Sequence, residues 1–599
     1  MSSSSTVPRS RNRPLIVAVV LGVVAFVAVM VLPRLFGPDA DSRPTGDCVP
    51  LVVSSSTEKD DLLRDLANEY NRAEPVIDGR CARVSVHELT SGTAMESLAT
   101  GWNEERDGGP PPQVWTPTSS LWLGLLDQRD KGGLVVGEPE SITKSVLTIA
   151  MPEQMAAVVR EKFPEPGWSS VLELASGNWA ALDHPEWGRF ALGRDNPHVS
   201  TSGLAATVAI YHAAAGEPDA ITEAKLDDAN VRSFVHGVES AVSHYGDDAT
   251  KFMQQMYDED RRRPSVPYIS GIVVQEQLAY QFNESAPGGG PAQMGAGPPP
   301  NDPLVAINPA EGTFELDHPY VVLSSASPTQ RAIAEDFRAF LLEPEQQQRF
   351  AVVGFRDLDG RPSADLASTL DLSDSEQPKL IDPPPPEVVS KMVAGWDAAR
   401  RRARVLVVLD VSGSMKEQVN EKVTTGDEAK RKIDLLRPAV LQGLRWLVDD
   451  DQVGLWTFSS GQPKPYTVQV PISRVGDVRT KFTNVVNTVS PSGDTALYQT
   501  TREAHRMMLD SIDPNRINAI VLLTDGVNTP TDPAGRAAML KEVDASQRDE
   551  SVRIFTIPYG RQADVRTLSR IAAVSKALTY DAVDPVDINK VFVSVFSNF

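Results

Sequence analysis

The segment Arg404 to Met415, RVLVVLDVSGSM, sets the tightest limit on how this 599-residue chain folds. Val405 to Leu409 is apolar, rich in Val and too short for a helix, which predicts a buried central strand. The strand ends on Asp410, and Ser412 and Ser414 follow at alternate positions, so a loop leaving its carboxyl end can aim all three side-chain groups at one point. Two later segments offer matching oxygens. Thr495 opens a helical pattern after the turn SPSGD, and Asp525 ends the apolar strand pattern that starts at Ala519. Loops at the carboxyl ends of an open parallel sheet converge whatever their separation in sequence. Such an all-oxygen set suits a hard cation, Mg²⁺ or Mn²⁺, which takes near-octahedral oxygen ligands and keeps several waters. Taken alone, a Ser-Gly-Ser turn after a strand is an ordinary loop.

In that order, Asp-x-Ser-x-Ser with a distant Thr and Asp resembles the metal-ion-dependent adhesion site of von Willebrand factor A domains, over about Arg402 to Phe599. The resemblance implies a doubly wound, Rossmann-like α/β domain over residues 402–599 that binds Mg²⁺ or Mn²⁺. It makes Ser412, Ser414 and Thr495 direct hydroxyl ligands, with Asp410 and Asp525 acting directly or through water. One coordination position stays open for a partner's carboxylate, and catalysis is no part of the pattern. Asp494 adds a carboxylate beside Thr495, either tuning the metal or facing water. Strand patterns at Val453–Phe458, Tyr466–Val470, Ala519–Thr524, Val552–Ile557 and Leu578–Asp581 bring the expected sheet to six strands. The alternation at Tyr466–Val470 predicts an antiparallel edge.

A formal charge of −22 excludes a nucleic-acid binder, which needs clustered Lys and Arg, but it identifies no partner. The eight His residues show no HExxH or similar spacing, which excludes a zinc enzyme of that kind. Leu15 to Leu32 is uncharged and bracketed by Pro14 and Pro33, which predicts a transmembrane helix over residues 14–33. Arg9, Arg11 and Arg13 precede it and keep residues 1–13 cytoplasmic, so the expected protein is a single-pass cell-membrane protein with its main body extracytoplasmic. A cleaved signal peptide is the rival reading, but the apolar run exceeds the usual length of about 7 to 15 residues and no small-x-small site follows. Beyond the membrane, the cysteine pair Cys48 and Cys81 suggests a disulfide in an oxidising compartment. The alternatives are two free buried thiols, or lipidation of Cys48, for which PTGDC lacks a lipobox.

From Val49 onward strand patterns alternate with helices. VPLVVSSSTEKDDLLRDLANEYNR reads as strand, Ser-rich turn and amphipathic helix, and the hydroxyls at the helix start suit either an anionic ligand or simple capping. SGTAMESLATGW at Ser91, VWTPTSSLWLGLL at Val114, GRDNPHVSTSGLAATVAIYHAAAG at Gly193 and YISGIVVQEQLAYQFN at Tyr268 continue the pattern to about Arg356. Together these segments resemble the extracellular solute-binding proteins of bacterial transport systems, in the two-lobed type 2 form whose chain crosses between lobes twice, over residues 48–358. The resemblance implies a cleft for a small polar solute. Ser55, Ser56, Ser91, Gly92, Ser119 and Trp122 would lie on one lobe, with Thr201 and Ser202 facing them from the other. The other reading is a retained scaffold whose cleft binds nothing, with Trp122 and Trp168 as core. Ser56 and Lys59 also fit the Ser-x-x-Lys of penicillin-recognising enzymes, but no Ser-Asp-Asn or Lys-Thr-Gly follows.

The stretch APGGGPAQMGAGPPP, residues 286–300, predicts a flexible surface insertion. Residues 359–401 read as a linker with a proline spacer at Pro383–Pro386. A helical pattern from Glu387 to Arg404, with Val388, Met392 and Trp396 on one side, is expected to dock the C-terminal domain against that spacer. The expected protein is a membrane-anchored binder, not an enzyme. Its metal would capture an acidic side chain of another envelope or extracellular protein. The alternative is a membrane-tethered solute receptor or sensor associated with transport. Metal-assisted hydrolysis ranks last, because no nucleophile and base accompany the metal oxygens.

Overall fold

The computed structural model describes residues 48–599 apart from 108, 131–132, 217–220, 263–267, 373–377, 420–429, 461–463 and 546–550. The expected membrane segment, residues 14–33, lies outside the described residues. Among those described, no helix is long and apolar enough to cross a membrane.

Three sheets organise the described residues. The first takes β1 (Val49–Ser55), β2 (Val76–Ile77), β3 (Arg80–Glu88), β4 (Val114–Thr116) and β5 (Val135–Ser141). The second takes β6 (Ser145–Pro152), β7 (Leu192–Asp195), β8 (Val242–Gly246), β9 (Gly271–Gln275), β10 (Leu304–Ile307) and β11 (Glu315–Leu316), after which β12 (Pro319–Leu323) returns to the first. The chain therefore passes between lobes twice, and the strand orders are β2-β3-β1-β4-β12-β5 and β10-β6-β9-β7-β8. In the first lobe, Leu62, Leu63, Leu66 and Tyr70 lie on one face of helix Asp60–Arg72 and are buried with Leu51, Val53 and Phe337. Cys48 and Cys81 form a disulfide that joins the start of β1 to its parallel neighbour β3.

The third sheet contains β13 (Arg402–Asp410), β14 (Gln452–Phe458), β15 (Tyr466–Arg474), β16 (Arg516–Thr524) and β17 (Arg553–Pro558), in the order β15-β14-β13-β16-β17. β13 is central and parallel to both neighbours, and its apolar run is buried because helices cover both faces. β15 is the antiparallel edge, as its alternation predicts. Among the described residues the sheet has five strands, not six. Leu578–Asp581 makes a single isolated pairing, Thr579 with Thr556, with Ala582 just beyond it paired to Tyr559, and the Tyr580 hydroxyl leaves the module to donate to Asp247 Oδ1 at 2.9 Å.

The helix expected to reach Arg404 ends at Ala399, and it packs on the two solute-binding-type lobes instead of a spacer. Pro386 pre-sets its first turn. Val388, Val389, Met392 and Trp396 are buried against helix Leu121–Asp130 of the first lobe and helices Thr201–Ala215 and Ala229–Ser240 of the second. Ser390 Oγ donates to Gln128 of the first lobe at 2.7 Å, and Lys391 Nζ to Asp227 of the second at 2.8 Å. A Cβ on Gly395 would collide with Tyr211 Oη, so this approach requires glycine. The helix stops where Arg400 turns inward to pair with buried Asp451 at 2.6 Å, and Arg402 enters the third sheet beside Arg516.

Residues 286–300 are not a free surface insertion. Ala286 is fully buried, Pro291–Gln293 forms a 3₁₀ turn, and Met294 packs against the cores of both lobes. Its glycines let the segment lie against Glu58 and Asp61.

Trp396, 1% exposed, meets Tyr245 edge-on at 5.1 Å. Trp396→Ala should lower stability by about 3–5 kcal/mol in denaturant titrations. It should also speed amide exchange in helices Leu121–Asp130 and Thr201–Ala215, which the strap helix ties together.

Candidate metal site and cleft

Three loops meet at the carboxyl end of the third sheet. Backbone bonds join them: Gly413 N to Gly493 O at 2.8 Å, Ser492 N to Val411 O at 2.6 Å, and Thr529 N to Thr495 O at 2.8 Å. Gly493 has φ +79°, and a Cβ there would collide with the Ser460 carbonyl, so only glycine permits the turn that presents Thr495.

The expected metal ligands converge. Asp410 Oδ1 accepts from Ser412 N at 2.7 Å, and Thr524 Oγ1 donates to Asp410 Oδ2. Thr495 Oγ1 lies 3.3 Å from Ser412 Oγ, which lies 3.0 Å from Ser414 Oγ, and Ser414 Oγ donates to Asp525 Oδ1 at 2.7 Å. Asp410, Ser412, Thr495 and Asp525 are buried, while Ser414 is half-buried. Asp494 is exposed, and its backbone is tied to Ser460. Hydroxyls can turn lone pairs toward an ion as readily as they donate to one another, so this hard-oxygen set fits Mg²⁺ or Mn²⁺. Among the described residues no group of three or more His, Cys, Asp or Glu could hold a metal, so any site here depends on hydroxyls.

Three further residues, Thr524, Lys432 and Glu417, belong to this rim. Lys432 Nζ donates to Asp525 Oδ2 and to Glu417 Oε2, each at 2.8 Å. Burial alone would lower the Lys432 amine, but the hydrogen bonds to Asp525 and Glu417 outweigh it and hold the amine above its ordinary value. Burial first, and the Asp525 charge second, push Asp410 up from 3.8 to about 6. Sequence alone offered no signal for Lys432, which sits in a helical pattern with nothing local to mark its distant partner Asp525. Thr524 stood in plain view beside Asp525.

The expected cleft contacts are also brought together, but all except Ser202 already have a hydrogen-bond partner within the protein. Glu58, 6% exposed, accepts from Ser56 Oγ at 2.6 Å and Thr118 Oγ1 at 2.8 Å, with Lys59 Nζ at 3.4 Å. Lys59 Nζ also donates to Ser56 Oγ, and burial pulls its amine down. Ser91 Oγ accepts from Thr118 N at 3.1 Å, Ser55 Oγ donates to Ser56 O at 3.0 Å, and Ser119 Oγ accepts from Leu121 N at 3.2 Å. Across the lobes, Gly92 N donates to Val199 O at 3.0 Å, Trp122 Nε1 to Thr201 Oγ1 at 2.8 Å, and Thr57 Oγ1 to Asp248 Oδ1 at 3.1 Å. Ser202 Oγ is buried with no hydrogen-bond partner. Any Cβ on Gly92 would strike the His198 carbonyl, so closure to this distance needs glycine. Glu58 escaped the sequence reading because its neighbours there, Thr57 and Lys59, resemble an ordinary helix start. Beyond the closed contacts lies a cavity of about 1410 Å³, lined by both lobes and the C-terminal module through residues such as Glu88, Met95, Asp248, Trp446, Tyr580 and Lys590.

The family model for bacterial extracellular solute-binding proteins matches residues 51–356, and the chain belongs to that family. The model for the von Willebrand factor type A domain matches residues 405–592, so the chain joins a solute-binding domain to a VWA domain. An uncharacterized protein of Mycobacterium tuberculosis strain H37Rv is 22% identical over 591 residues, which is 94% of this chain and 79% of that protein. Among solved structures, a periplasmic thiamin binding protein aligns with TM-score 0.40 and 12% identity over 60% of this chain and 99% of its own. The sulfate-binding protein SubI of M. tuberculosis H37Rv aligns with TM-score 0.36 and 17% identity over 58% of this chain and 97% of its own. A von Willebrand factor type A protein from Catenulispora acidiphila aligns with TM-score 0.27 and 17% identity over 33% of this chain and 42% of its own.

The raised Asp410 carboxyl makes metal-free stability depend on pH. The fold favours its neutral form, so the stability it contributes is fully present below 3.8 and is lost as pH rises through about 6. Asp410→Asn removes that loss. In chelator, the variant and wild type should differ little below about pH 4, and above about pH 6 the variant should be more stable by on the order of 2–3 kcal/mol in denaturant titrations.

Proposed function

We propose that this chain is a membrane-anchored extracytoplasmic binding protein whose VWA domain recognises an acidic group on another envelope or extracellular protein. Mg²⁺ or Mn²⁺ would be held by Asp410, Ser412, Ser414, Thr495 and Asp525. What carries this reading is the continuous run of oxygens from Thr495 through Ser412 and Ser414 to Asp525, with Ser414 its most accessible member. Once bound, the ion supplies a positive, Lewis-acidic anchor for a carboxylate. The chain supplies the rest: buried Asp410 and Asp525 balance the charge, the hydroxyls orient, and Val527, 52% exposed beyond Asp525, offers a partner an apolar contact. The solute-binding domain serves as a rigid platform, which the strap helix across both lobes and Glu58 among the first-lobe hydroxyls support. Residues 14–33 are the anchor, with residues 1–13 in the cytoplasm.

A tethered solute receptor or sensor associated with transport is the second reading, favoured by the cavity of about 1410 Å³ where the cleft meets the VWA domain. Both readings are binding roles, the usual work of these two domain types.

The full chain in detergent, as wild type and Asp410→Ala, is used to pull down proteins from envelope extract with Mg²⁺ and with chelator. A partner held only by wild type in Mg²⁺ is the expected result. Identical proteins in all four conditions, with both baits folded, would remove the metal from recognition. In intact cells, added protease should digest the main body and spare a tag placed at the N-terminus.

A further inference from the structure

The geometry points to Lys432 as a resident counter-cation that lowers the metal affinity of the VWA rim, an inference that rests on reading that rim as a metal site. The lysine is held from several sides. Its backbone N donates to Glu417 O at 3.0 Å, and Tyr559 Oη donates to its carbonyl at 2.8 Å. The side chain runs past Gly560, where a Cβ would sit 3.2 Å from Lys432 Cε, and it is 7% exposed. Nζ therefore has little choice of position, and it bridges Asp525 Oδ2 and Glu417 Oε2 at 2.8 Å each.

Asp525 is thus shared. Oδ1 accepts from Ser414 Oγ at 2.7 Å on the hydroxyl side, while Oδ2 faces the ammonium. Asp410 and Asp525 are two fully buried carboxylates at one rim, and removing charge from water is expensive unless it is paired. In the metal-free protein Lys432 supplies that pairing for Asp525. A divalent ion entering on the hydroxyl side shares a carboxylate with this fixed positive charge, and like charges this close repel strongly at low effective dielectric. Glu417, half-exposed, offsets part of the ammonium charge. Lys432 therefore stabilises the empty site and opposes the filled one, and Glu417 moderates the opposition.

The test is Mn²⁺ binding to the full chain, read by electron paramagnetic resonance of free Mn²⁺ and by calorimetry, for wild type, Lys432→Met, Glu417→Gln and Asp410→Ala. Lys432→Met should bind Mn²⁺ about 10- to 100-fold more tightly, and its melting temperature in chelator should fall while the shift on adding Mn²⁺ grows. Glu417→Gln should bind several-fold more weakly, and it keeps the inference testable if Lys432→Met fails to fold. Unchanged or weaker binding by Lys432→Met, or an unchanged Glu417→Gln, overturns the role of Lys432 and leaves the metal site standing. If neither wild type nor Lys432→Met binds Mn²⁺ more than Asp410→Ala does, the metal site itself is overturned.

Discussion

Most of the architecture depends on how helix Pro386–Ala399 is buried. One face carries Val388, Met392 and Trp396 into the seam between the two lobes, and its end delivers Arg400 to Asp451 inside the VWA domain. Asp451 also accepts from Ala403 N at 2.8 Å and Val448 N at 2.9 Å, so the strand carrying the oxygen rim starts from a fully satisfied buried charge. Removing either partner would leave the other charged and unpaired in the interior, a far larger penalty than the net worth of the pair. One short segment thus ties the lobes together and sets where β13 begins.

Further polar contacts extend that coupling across the domain boundary. Asn196 Nδ2 donates to Ser597 O at 2.8 Å, Arg553 Nη1 to Tyr268 Oη at 2.8 Å, and Arg262 Nη1 to Ala573 O at 2.9 Å. These bonds lie toward the start of the third sheet, with Arg553 opening β17, whereas the oxygen rim lies at the carboxyl ends of the strands. The VWA domain therefore stands on the second lobe and keeps its rim directed away from it.

Both sites obey one rule, that a buried polar group is satisfied by whatever is nearest. In the first lobe the Ser56 hydroxyl that would meet a solute meets Glu58, and in the VWA domain the carboxylate that would meet an ion meets Lys432. The first pairing satisfies first-lobe hydroxyls with a carboxylate of the same lobe. The second leaves Ser412 Oγ within 3.3 Å of both Ser414 Oγ and Thr495 Oγ1, with Ser414 donating to Asp525.

Residues 405–409, the alternation of Asp410, Ser412 and Ser414, and the strand ending at Asp525 were legible without coordinates, because strand period and strand-end loops are local consequences of covalent geometry. The same holds for β15 at the edge and for Leu62, Leu63, Leu66 and Tyr70 on one helix face. Leu578–Asp581 has the composition of a strand, yet Tyr580 is engaged by Asp247 of another domain. The glycine-rich residues 286–300 look free, yet Met294 finds two cores. Lys432 and the strap helix act through groups distant in sequence, as Glu58 does through Thr118, and no local period records which distant carboxylate or hydroxyl will stand within 3 Å. The chain alone determined the oxygen set and the two domain types. Tertiary packing alone decided which of those oxygens are already paired, because pairing is settled by burial, and burial exists only once the lobes and the VWA domain have closed on one another.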